Sequence, residues 1–331
     1  MKKNPGQIAK YAVSLALAAA LVWLAFKSVD WGAFLDGLRQ TRWAYIVLFI
    51  VASVLALVFR MLRWRSLIVP MDPQTGNLLV WDADNVGNLA NIALPGSGEF
   101  VRCGYVSGRK APFDRVFGTI ALERVCDIMA IVLLFVLAIC LGGSRFSAFF
   151  SDNIWGPLSS KLSVSLWWIV AALAALVAAF VWAVFHFRSR SALCGKIAGA
   201  LGGLASGFTV FTRMKGKGLF IFWTACIWLM YILMSYTVLL ATPSLESLGL
   251  TDALFISAVG NIASIIPVPG GVGAYHYLVA LTLSSLYGAT WDTGILYATL
   301  SHELHAVLII LLGIASYIRL TLRKKNEAHN S

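Results

Sequence analysis

The stretch GNIASIIPVPGGVG, residues 260–273, decides the fold of this chain, because it interrupts an apolar segment near its middle. That segment runs without Asp, Glu, Lys or Arg from Ala253 to Trp291, which is typical of membrane helix. Proline ends a helix and glycine permits a tight turn, so the interruption predicts two short helices joined by a break. The residues of this break are Pro267, Pro269, Gly270, Gly271 and Gly273.

The composition of the whole chain supports a membrane location. Of 331 residues, 59% are hydrophobic and 12% are charged, whereas soluble chains average about 45–50% and about 25%. Three lysines precede an apolar stretch from Tyr11 to Phe26 that lacks a small-residue cleavage site. This stretch therefore predicts a first membrane span and not a cleaved signal peptide.

Six stretches have the roughly 20 apolar residues that a spanning helix needs. They are residues 9–27, 43–60, 116–142, 163–187, 218–241 and 294–318. Two further segments, 82–108 and 252–290, are apolar but broken, and we interpret both as re-entrant hairpins. The alternative for 252–290 is a pair of short spans. The predicted fold is an all-α polytopic membrane protein without a soluble domain.

The distribution of Lys and Arg predicts the orientation of the spans. Segments predicted to be cytoplasmic carry 20 of these residues, outside segments carry 5, and Arg124 lies within a span. This bias follows the positive-inside rule and predicts that both termini are cytoplasmic. The net charge of +11 is then explained by topology and anionic lipid, and nucleic-acid binding is excluded.

The break at 260–273 has a counterpart in the first half of the chain. GNLANIAL (87–94) aligns with GNIASIIP (260–267), which pairs Asn88 with Asn261. Pro95, Gly96 and Gly98 follow the first copy as prolines and glycines follow the second. Three full spans per half make residues 1–155 and 156–331 two inverted repeats. Such repeats, broken at matching positions, are typical of transporters with a midplane substrate site.

Five charged residues fall in or beside the first hairpin and the third span: Glu99, Arg102, Glu123, Arg124 and Asp127. Several are three or four residues apart, so they share a helix face. In one interpretation the two arginines receive a lipid phosphate, assisted by free backbone N–H groups near Gly98 and Gly273. In the other, the five residues form a structural ion-pair network that fixes the hairpin to the span.

Three histidines, His276, His302 and His305, cluster in the second half. His302 and His305 lie in HELH, which is not the HExxH motif of zinc proteases. They can form hydrogen bonds, move protons or bind a metal. Because no cysteine or second carboxylate completes a ligand shell, we expect hydrogen bonding or protonation, with no metal and no cofactor. Asn88 and Asn261 line the same predicted cavity or bind the loop backbone.

Three features are interpreted as structural and not as parts of a functional site. RMLRWRS, residues 60–66, is interpreted as an anchor in which arginines reach lipid headgroups and Trp64 joins the aromatic belt. Residues 192–212 are glycine-rich and weakly apolar, which predicts an interfacial helix. The five cysteines are scattered without CxxC spacing, so neither a disulfide framework nor a cysteine zinc site is expected.

Four motifs together resemble a known family. They are FRMLRWRSL (59–67), ALPGSGEFVR (93–102), LERVCDIMA (122–130) and PVPGGVGAYH (267–276). In this order they are similar to the lysylphosphatidylglycerol synthase transmembrane region, a flippase-like family. The resemblance implies a bacterial or archaeal inner-membrane protein. Two positions depart from the family pattern: His276 stands where many members carry Glu, and SHELHAVL stands where Arg followed by Thr or Ser is common.

The expected function is flippase-like transport or binding of an anionic amphiphilic lipid through a polar groove between the repeats. The expected partners are anionic membrane lipids, with a possible homo-oligomer. A lipid-modifying enzyme and a non-transporting scaffold are the alternatives. Aminoacyl-lipid synthesis is disfavoured, because the longest stretch between predicted membrane segments is 188–217, too short for a catalytic domain. A synthase label would therefore be inherited from the family.

Overall fold

The computed structural model describes residues 5–94, 96–142, 216–263 and 268–329, with a few helical positions between 179 and 186. The described residues form ten α-helices, two short 3-10 turns and no strand. The helices are α1 Pro5–Phe26, α2 Trp31–Gln40, α3 Trp43–Ile68, α4 Asn77–Ala93, α5 Ser97–Val106, α6 Phe113–Gly142, α7 Lys217–Ala241, α8 Leu250–Ala263, α9 Ala274–Tyr287 and α10 Trp291–His329. Pro95, Pro267, the predicted helix 192–212 and most of the predicted span 163–187 lie outside the described residues.

Four described helices are long and apolar enough to cross a membrane. They are Trp43–Ile68, Phe113–Gly142, Lys217–Ala241 and the Trp291–Arg323 part of α10. A fifth crossing results if Ala16–Phe26 and Trp31–Gln40, which are bent by 80° relative to each other, count as one. The Asp30 side chain caps α2 by accepting hydrogen bonds from Gly32 N and Ala33 N, which fixes this bend. The prediction of an all-α polytopic membrane protein is confirmed.

Two of the spans are longer than the sequence predicts. Helix α3 continues eight residues beyond position 60, so that RMLRWRS lies inside it. Helix α10 has 39 residues, which at 1.5 Å per residue is about 58 Å, roughly twice the thickness of the hydrocarbon core. Hydropathy alone places the predicted end of each helix too early, because both helices continue into segments that contain arginine.

Both broken segments form pairs of short helices. The first hairpin consists of α4 and α5, and the second consists of α8 and α9. Helix α5 has 10 residues, and α8 and α9 have 14 each. These lengths correspond to about 15 and 21 Å, less than the roughly 30 Å of the hydrocarbon core. The lengths therefore favour a re-entrant hairpin at 252–290 over the alternative of two short spans, because neither helix is long enough to cross the hydrocarbon core.

Glycine provides the backbone geometry of both breaks. The φ angle is 80° at Gly96 in the first break, and 63°, 73° and 84° at Gly270, Gly271 and Gly273 in the second. Residues with a Cβ rarely adopt these angles, whereas glycine adopts them without steric cost. The predicted helix breaks are thus present at both positions.

The helices pack in a reciprocal pattern across the middle of the molecule. Helices α3 and α7 form the most extensive helix pair. Helix α4 of the first hairpin packs on α10, and α8 of the second hairpin packs on α6. Each hairpin therefore contacts the last span of the other half, as two repeats related by a twofold axis would require. The inverted-repeat division at residue 155 remains a prediction that this packing supports.

The inverted-repeat prediction can be tested with single cysteines at the two breaks in a cysteine-free background. Ala93→Cys is expected to react with an impermeant maleimide from the cytoplasmic side, and Val272→Cys from the outside. The reason is that the two hairpins enter from opposite sides if the halves are inverted. The measurement is the extent of labelling in right-side-out and inverted vesicles.

Leu137→Cys serves as the control, because Leu137 is 42% exposed on the apolar surface of α6. This cysteine should stay unlabelled from either side if that surface faces lipid. Labelling of both break positions from the same side would refute the inverted arrangement.

Candidate functional site

The first half contains a buried set of ion pairs that we call the arginine–carboxylate network. Its members are Arg60, Arg63, Asp84, Arg102, Glu123 and Asp127. Arg63 Nε lies 3.2 Å from Glu123 Oε1, and its Nη1 and Nη2 donate to both oxygens of Asp127 at 2.6 and 3.1 Å. The network therefore connects α3 to α6, and the Arg63–Asp127 contact in it is bidentate.

Arg102 joins the hairpin to the same network. Its Nη2 donates to Glu123 Oε2 at 2.9 Å, and its Nε lies 3.1 Å from Asp84 Oδ1. The guanidinium also lies over the Trp64 ring, 4.1 Å from its centroid. The Trp64 indole N–H donates in turn to Thr119 Oγ1 at 3.1 Å. Arg102 is thus enclosed by α3, α4 and α6.

The charges within the network balance, with three arginines against three carboxylates. The Arg102 side chain is 4% exposed, and both of its carboxylate partners are equally buried. A buried charge is costly unless it is paired, and here each charge has an oppositely charged partner, although Asp84 Oδ1 and the Nε atoms of Arg60 and Arg102 make no hydrogen bond with the described residues. For Arg102 and Glu123 this geometry supports the structural interpretation over phosphate binding.

Two expectations about these residues are wrong. Arg60 and Arg63 are not headgroup anchors, because Arg63 is 2% exposed and Arg60 lies 3.6 Å from buried Asp84. Trp64 likewise is not part of an aromatic belt, because it is 0% exposed. The charged residues of the hairpin pair with those of the third span, as the structural ion-pair network would require. Arg124 contacts Glu99 at 2.5 Å, and Asp127 contacts Arg63. Helix periodicity identifies neighbours on one face, but it contains no information about the facing helix.

Arg124 differs from Arg102 in its accessibility. Its side chain is 46% exposed, and its partner Glu99 is 17% exposed. The second oxygen of Glu99 has no hydrogen-bond partner among the described residues. Arg124 is therefore the predicted arginine that can still meet a lipid phosphate at the protein surface.

The predicted anion site at the start of α5 is closed. Gly98 N donates to the side chain of Asn91 at 2.7 Å, so this N–H is not free for a phosphate. A Cβ at Gly98 would lie 2.1 Å from Gly87 O, which shows how closely α4 and α5 approach. Asn88 Oδ1 lies 3.4 Å from Arg60 Nη2 and belongs to the edge of the network. Asn91, which sequence reasoning missed, is the residue that caps the helix.

A cavity of about 410 Å³ lies where the two breaks meet. Ile92 near the first break and Gly270 near the second both line it. One wall is apolar and includes Phe49, Met234, Ile309 and Ile310. The other wall is polar and includes Ser235, Ser257, Asn261, Tyr275, Ser301, His302, Glu303 and His305. Of the predicted site residues, Asn261, His302, His305 and Gly270 therefore line one cavity, whereas the network residues do not.

The polar wall is held by neutral hydrogen bonds. Tyr275 Oη and Ser301 Oγ are 3.0 Å apart, and Tyr297 Oη and Ser235 Oγ are 2.7 Å apart. Asn261 Nδ2 donates to Ser257 O at 2.8 Å, which leaves its side-chain oxygen for other partners. This wall offers hydroxyl, amide and imidazole groups and the Glu303 carboxylate to a polar ligand.

The two halves use different chemistry at corresponding positions. A Cβ at Gly87 would meet the Arg102 side chain, and a Cβ at Gly260 would meet the Tyr275 ring, fifteen residues later in each case. Arg102 bonds to Glu123, the eleventh residue of α6, and Tyr275 bonds to Ser301, the eleventh residue of α10. An ion pair in the first half thus corresponds to a neutral hydrogen bond in the second.

His276 and His302 meet at the second hairpin, together with Glu303. His302 Nδ1 lies 3.0 Å from Glu303 Oε1, and His276 Nε2 lies 3.7 Å from the same oxygen. The two imidazole centroids are 5.5 Å apart. His305 lines the cavity but is not part of this group. Sequence reasoning missed Glu303, although it adjoins His302 in HELH.

The comparisons with known proteins give one result. The family described as the lysylphosphatidylglycerol synthase TM region matches residues 11–313, which include both hairpins, the network and the cavity. The comparisons with curated proteins and with solved structures gave no match. Because the family match covers far more than half of the chain, this multi-pass membrane protein belongs to the lysylphosphatidylglycerol synthase TM region family.

Proposed function

We propose that this protein is a flippase-like transporter that carries an anionic amphiphilic lipid through the cavity between its halves. The observation that carries the proposal is the cavity itself, which lies at the meeting point of two broken hairpins. Non-helical backbone at membrane depth is tolerated where it lines a cavity or is buried in protein. Transporters place substrate sites at such breaks.

The two walls of the cavity suit the two parts of a lipid. Hydroxyl, amide and imidazole groups on the polar wall can bind a headgroup, while Phe49, Ile309 and Ile310 can contact acyl carbons. The volume of about 410 Å³ is within the range of roughly 300–1,000 Å³ that is usual for ligand pockets. A headgroup fits this space, whereas the acyl chains would extend into the bilayer.

The network has a supporting part in this proposal. Its balanced charges fix α5 against α3, α4 and α6, so that the first break keeps its position at the cavity. Arg124 remains a candidate for contact with lipid phosphate, because its side chain is half exposed. We place the protein in the cytoplasmic membrane with both termini in the cytoplasm, since the 20-to-5 charge bias favours this orientation.

We propose transport as the activity, because the cavity lies where the two broken hairpins meet. If the protein were a non-transporting scaffold, a bulky side chain that fills the cavity should leave its function unchanged. Transport predicts the opposite.

The experiment is a lipid-translocation assay in proteoliposomes with fluorescent phosphatidylglycerol. Ile309→Trp adds a ring at the cavity wall, and we expect translocation to slow by about tenfold, equivalent to roughly 1.4 kcal/mol in the barrier. The fluorescence that an impermeant quencher removes over time reports the rate.

Val307→Trp is the matched control, because Val307 lies two residues away on α10 and is 50% exposed outside the cavity. This variant should translocate lipid at the rate of the unmodified protein. Equal rates for both tryptophan variants, or no translocation above empty liposomes by the unmodified protein, would refute the proposed function.

A further inference from the structure

Three possible ligand atoms converge where the second hairpin meets α10. They belong to His276, His302 and Glu303, and all lie within 4.8 Å of one another. His302 and Glu303 line the cavity, whereas the His276 side chain is 1% exposed behind them. Helices α9 and α10 thus provide two imidazoles and a carboxylate at one point of the cavity wall.

Hydrogen bonding within this group does not account for its geometry. Glu303 Oε1 faces both imidazoles, but its 3.7 Å distance to His276 Nε2 exceeds the usual 2.7–3.2 Å of such a bond. The other ring nitrogen of His276, Nδ1, is buried without a hydrogen-bond partner among the described residues. An ion on Nε2 would not pair Nδ1, so the observation that favours an ion is the long Nε2 contact, which leaves this nitrogen without a hydrogen bond to Glu303.

We propose that His276, His302 and Glu303 bind a divalent transition-metal ion at the cavity. Imidazole and carboxylate are the usual nitrogen and oxygen ligands of Zn²⁺, and open zinc sites often use three protein ligands. The 3.0 Å and 3.7 Å separations of the ligand atoms leave room for an ion between them. An open coordination position then faces the cavity.

The metal would reverse the charge of the cavity. Glu303 is the only formally charged side chain at neutral pH in the described cavity lining, which contains no Lys or Arg. With neutral imidazoles, a divalent ion changes the net charge of this lining from −1 to +1. Bound ions are often the largest local charges in a site. The open coordination position would accept a phosphate oxygen of the lipid headgroup, a step that rests on the proposed function.

This inference replaces the expectation drawn from spacing alone. In the sequence, His302 and His305 are the obvious pair, and no cysteine or second carboxylate completes their shell. In the structure, His276 takes the place of His305, and Glu303 is the third ligand. The adjacent residues of α10 line the cavity, and the histidine of α9 lies behind them within reach of the Glu303 carboxylate.

The test is metal binding by the full-length protein in nanodiscs, with Zn²⁺ as the probe. After equilibration with Zn²⁺ and removal of free metal, we expect one ion per chain by elemental analysis. His302→Ala and Glu303→Gln are each expected to weaken binding by more than the roughly 10–100-fold that loss of an outer-sphere partner costs. Substitution with Co²⁺ should give visible absorption bands that both variants lose.

His305→Gln is the matched control, because His305 lies on the same helix and lines the same cavity but is outside the ligand group. This variant should keep the ion. If it loses the ion as the other variants do, or if Glu303→Gln and His302→Ala both retain one ion per chain, the site is wrong. Glu303 is 42% exposed, so Glu303→Gln tests the site without disturbing the core.

A second measurement separates this inference from the proposed function. If metal-free protein translocates lipid at the rate of the zinc-loaded protein, the role of the ion in phosphate binding is refuted while transport stands. If the protein binds one ion but moves no lipid in either form, the metal site stands and the proposed function fails. A rate that falls on chelation and returns with Zn²⁺ supports both.

Discussion

Arg102→Met is expected to lower the free energy of unfolding by about 3–5 kcal/mol, the usual cost of removing one partner from a buried ion pair. The variant leaves Asp84 and Glu123 without one of their two arginines in a region that is about 4% exposed. It also removes the cation that lies over the Trp64 ring. Denaturant or thermal unfolding of the purified protein in detergent micelles measures the change.

Arg124→Met is the matched control for this substitution. Its side chain is 46% exposed, and exposed pairs contribute about 0–1 kcal/mol. Arg102→Met combined with Asp84→Asn should regain part of the lost stability, because one charge of each sign is then removed and the two contacts of Arg63 with Glu123 and Asp127 remain. If Arg102→Met and Arg124→Met were equally stable, the network would not hold the first hairpin.

Gly98→Ala is expected to have the next largest effect. The added Cβ would lie 2.1 Å from the carbonyl oxygen of Gly87, where a backbone atom cannot move aside without separating α4 from α5. It would also displace the Asn91 side chain that accepts the hydrogen bond from Gly98 N. We expect a loss at the upper end of the roughly 1–3 kcal/mol typical of overpacking. The same unfolding assay applies.

Gly104→Ala provides the control on the same helix. A Cβ at Gly104 would meet no atom within 4 Å. Since alanine is favoured over glycine inside a helix by about 1 kcal/mol, this variant should be as stable as the unmodified protein or more stable. A similar loss of stability in both variants would mean that contact between α4 and α5 at Gly98 is not close.

The elements of the fold that depend on local composition could be predicted from the sequence. Apolar runs identified α3, α6, α7 and α10, because crossing a bilayer requires length and hydropathy that few other structures need. Proline and glycine identified both breaks, since the backbone angles at Gly96 and Gly270 are rare for other residues.

The partners of the charged residues could not be predicted in the same way. The chain sequence identifies Arg63 and Asp127 as charges, but their pairing depends on the rotation of α3 against α6. The arginines of RMLRWRS were therefore assigned to headgroups on the basis of their position near a predicted helix end. Asp84 was not predicted as a site residue, although it lies 3.1 Å from Arg102 Nε.

The candidate site also combines features that local sequence predicts with features that only helix packing determines. The sequence indicated a site at the second hairpin in two ways. The repeat aligns Asn88 with Asn261, and the histidines are closely spaced. Glu303 was not predicted as a site residue, because in the sequence it lies between His302 and His305 without a visible partner, and only the fold brings His276 to it. Local patterns indicate where chemistry is concentrated, whereas the selection of partners requires the packing of distant helices.

The contrast between the ionic Arg102–Glu123 contact of the first hairpin and the neutral Tyr275–Ser301 contact of the second has a mechanical consequence. Separating paired charges in a low-dielectric interior is far more costly than exchanging the partners of a hydroxyl group. The Arg102–Glu123 contact therefore makes the first hairpin stiff, while the Tyr275–Ser301 contact lets the second hairpin shift at modest cost. If the two halves rock against each other, we expect α4–α6 to keep their relative positions and α8 and α9 to move.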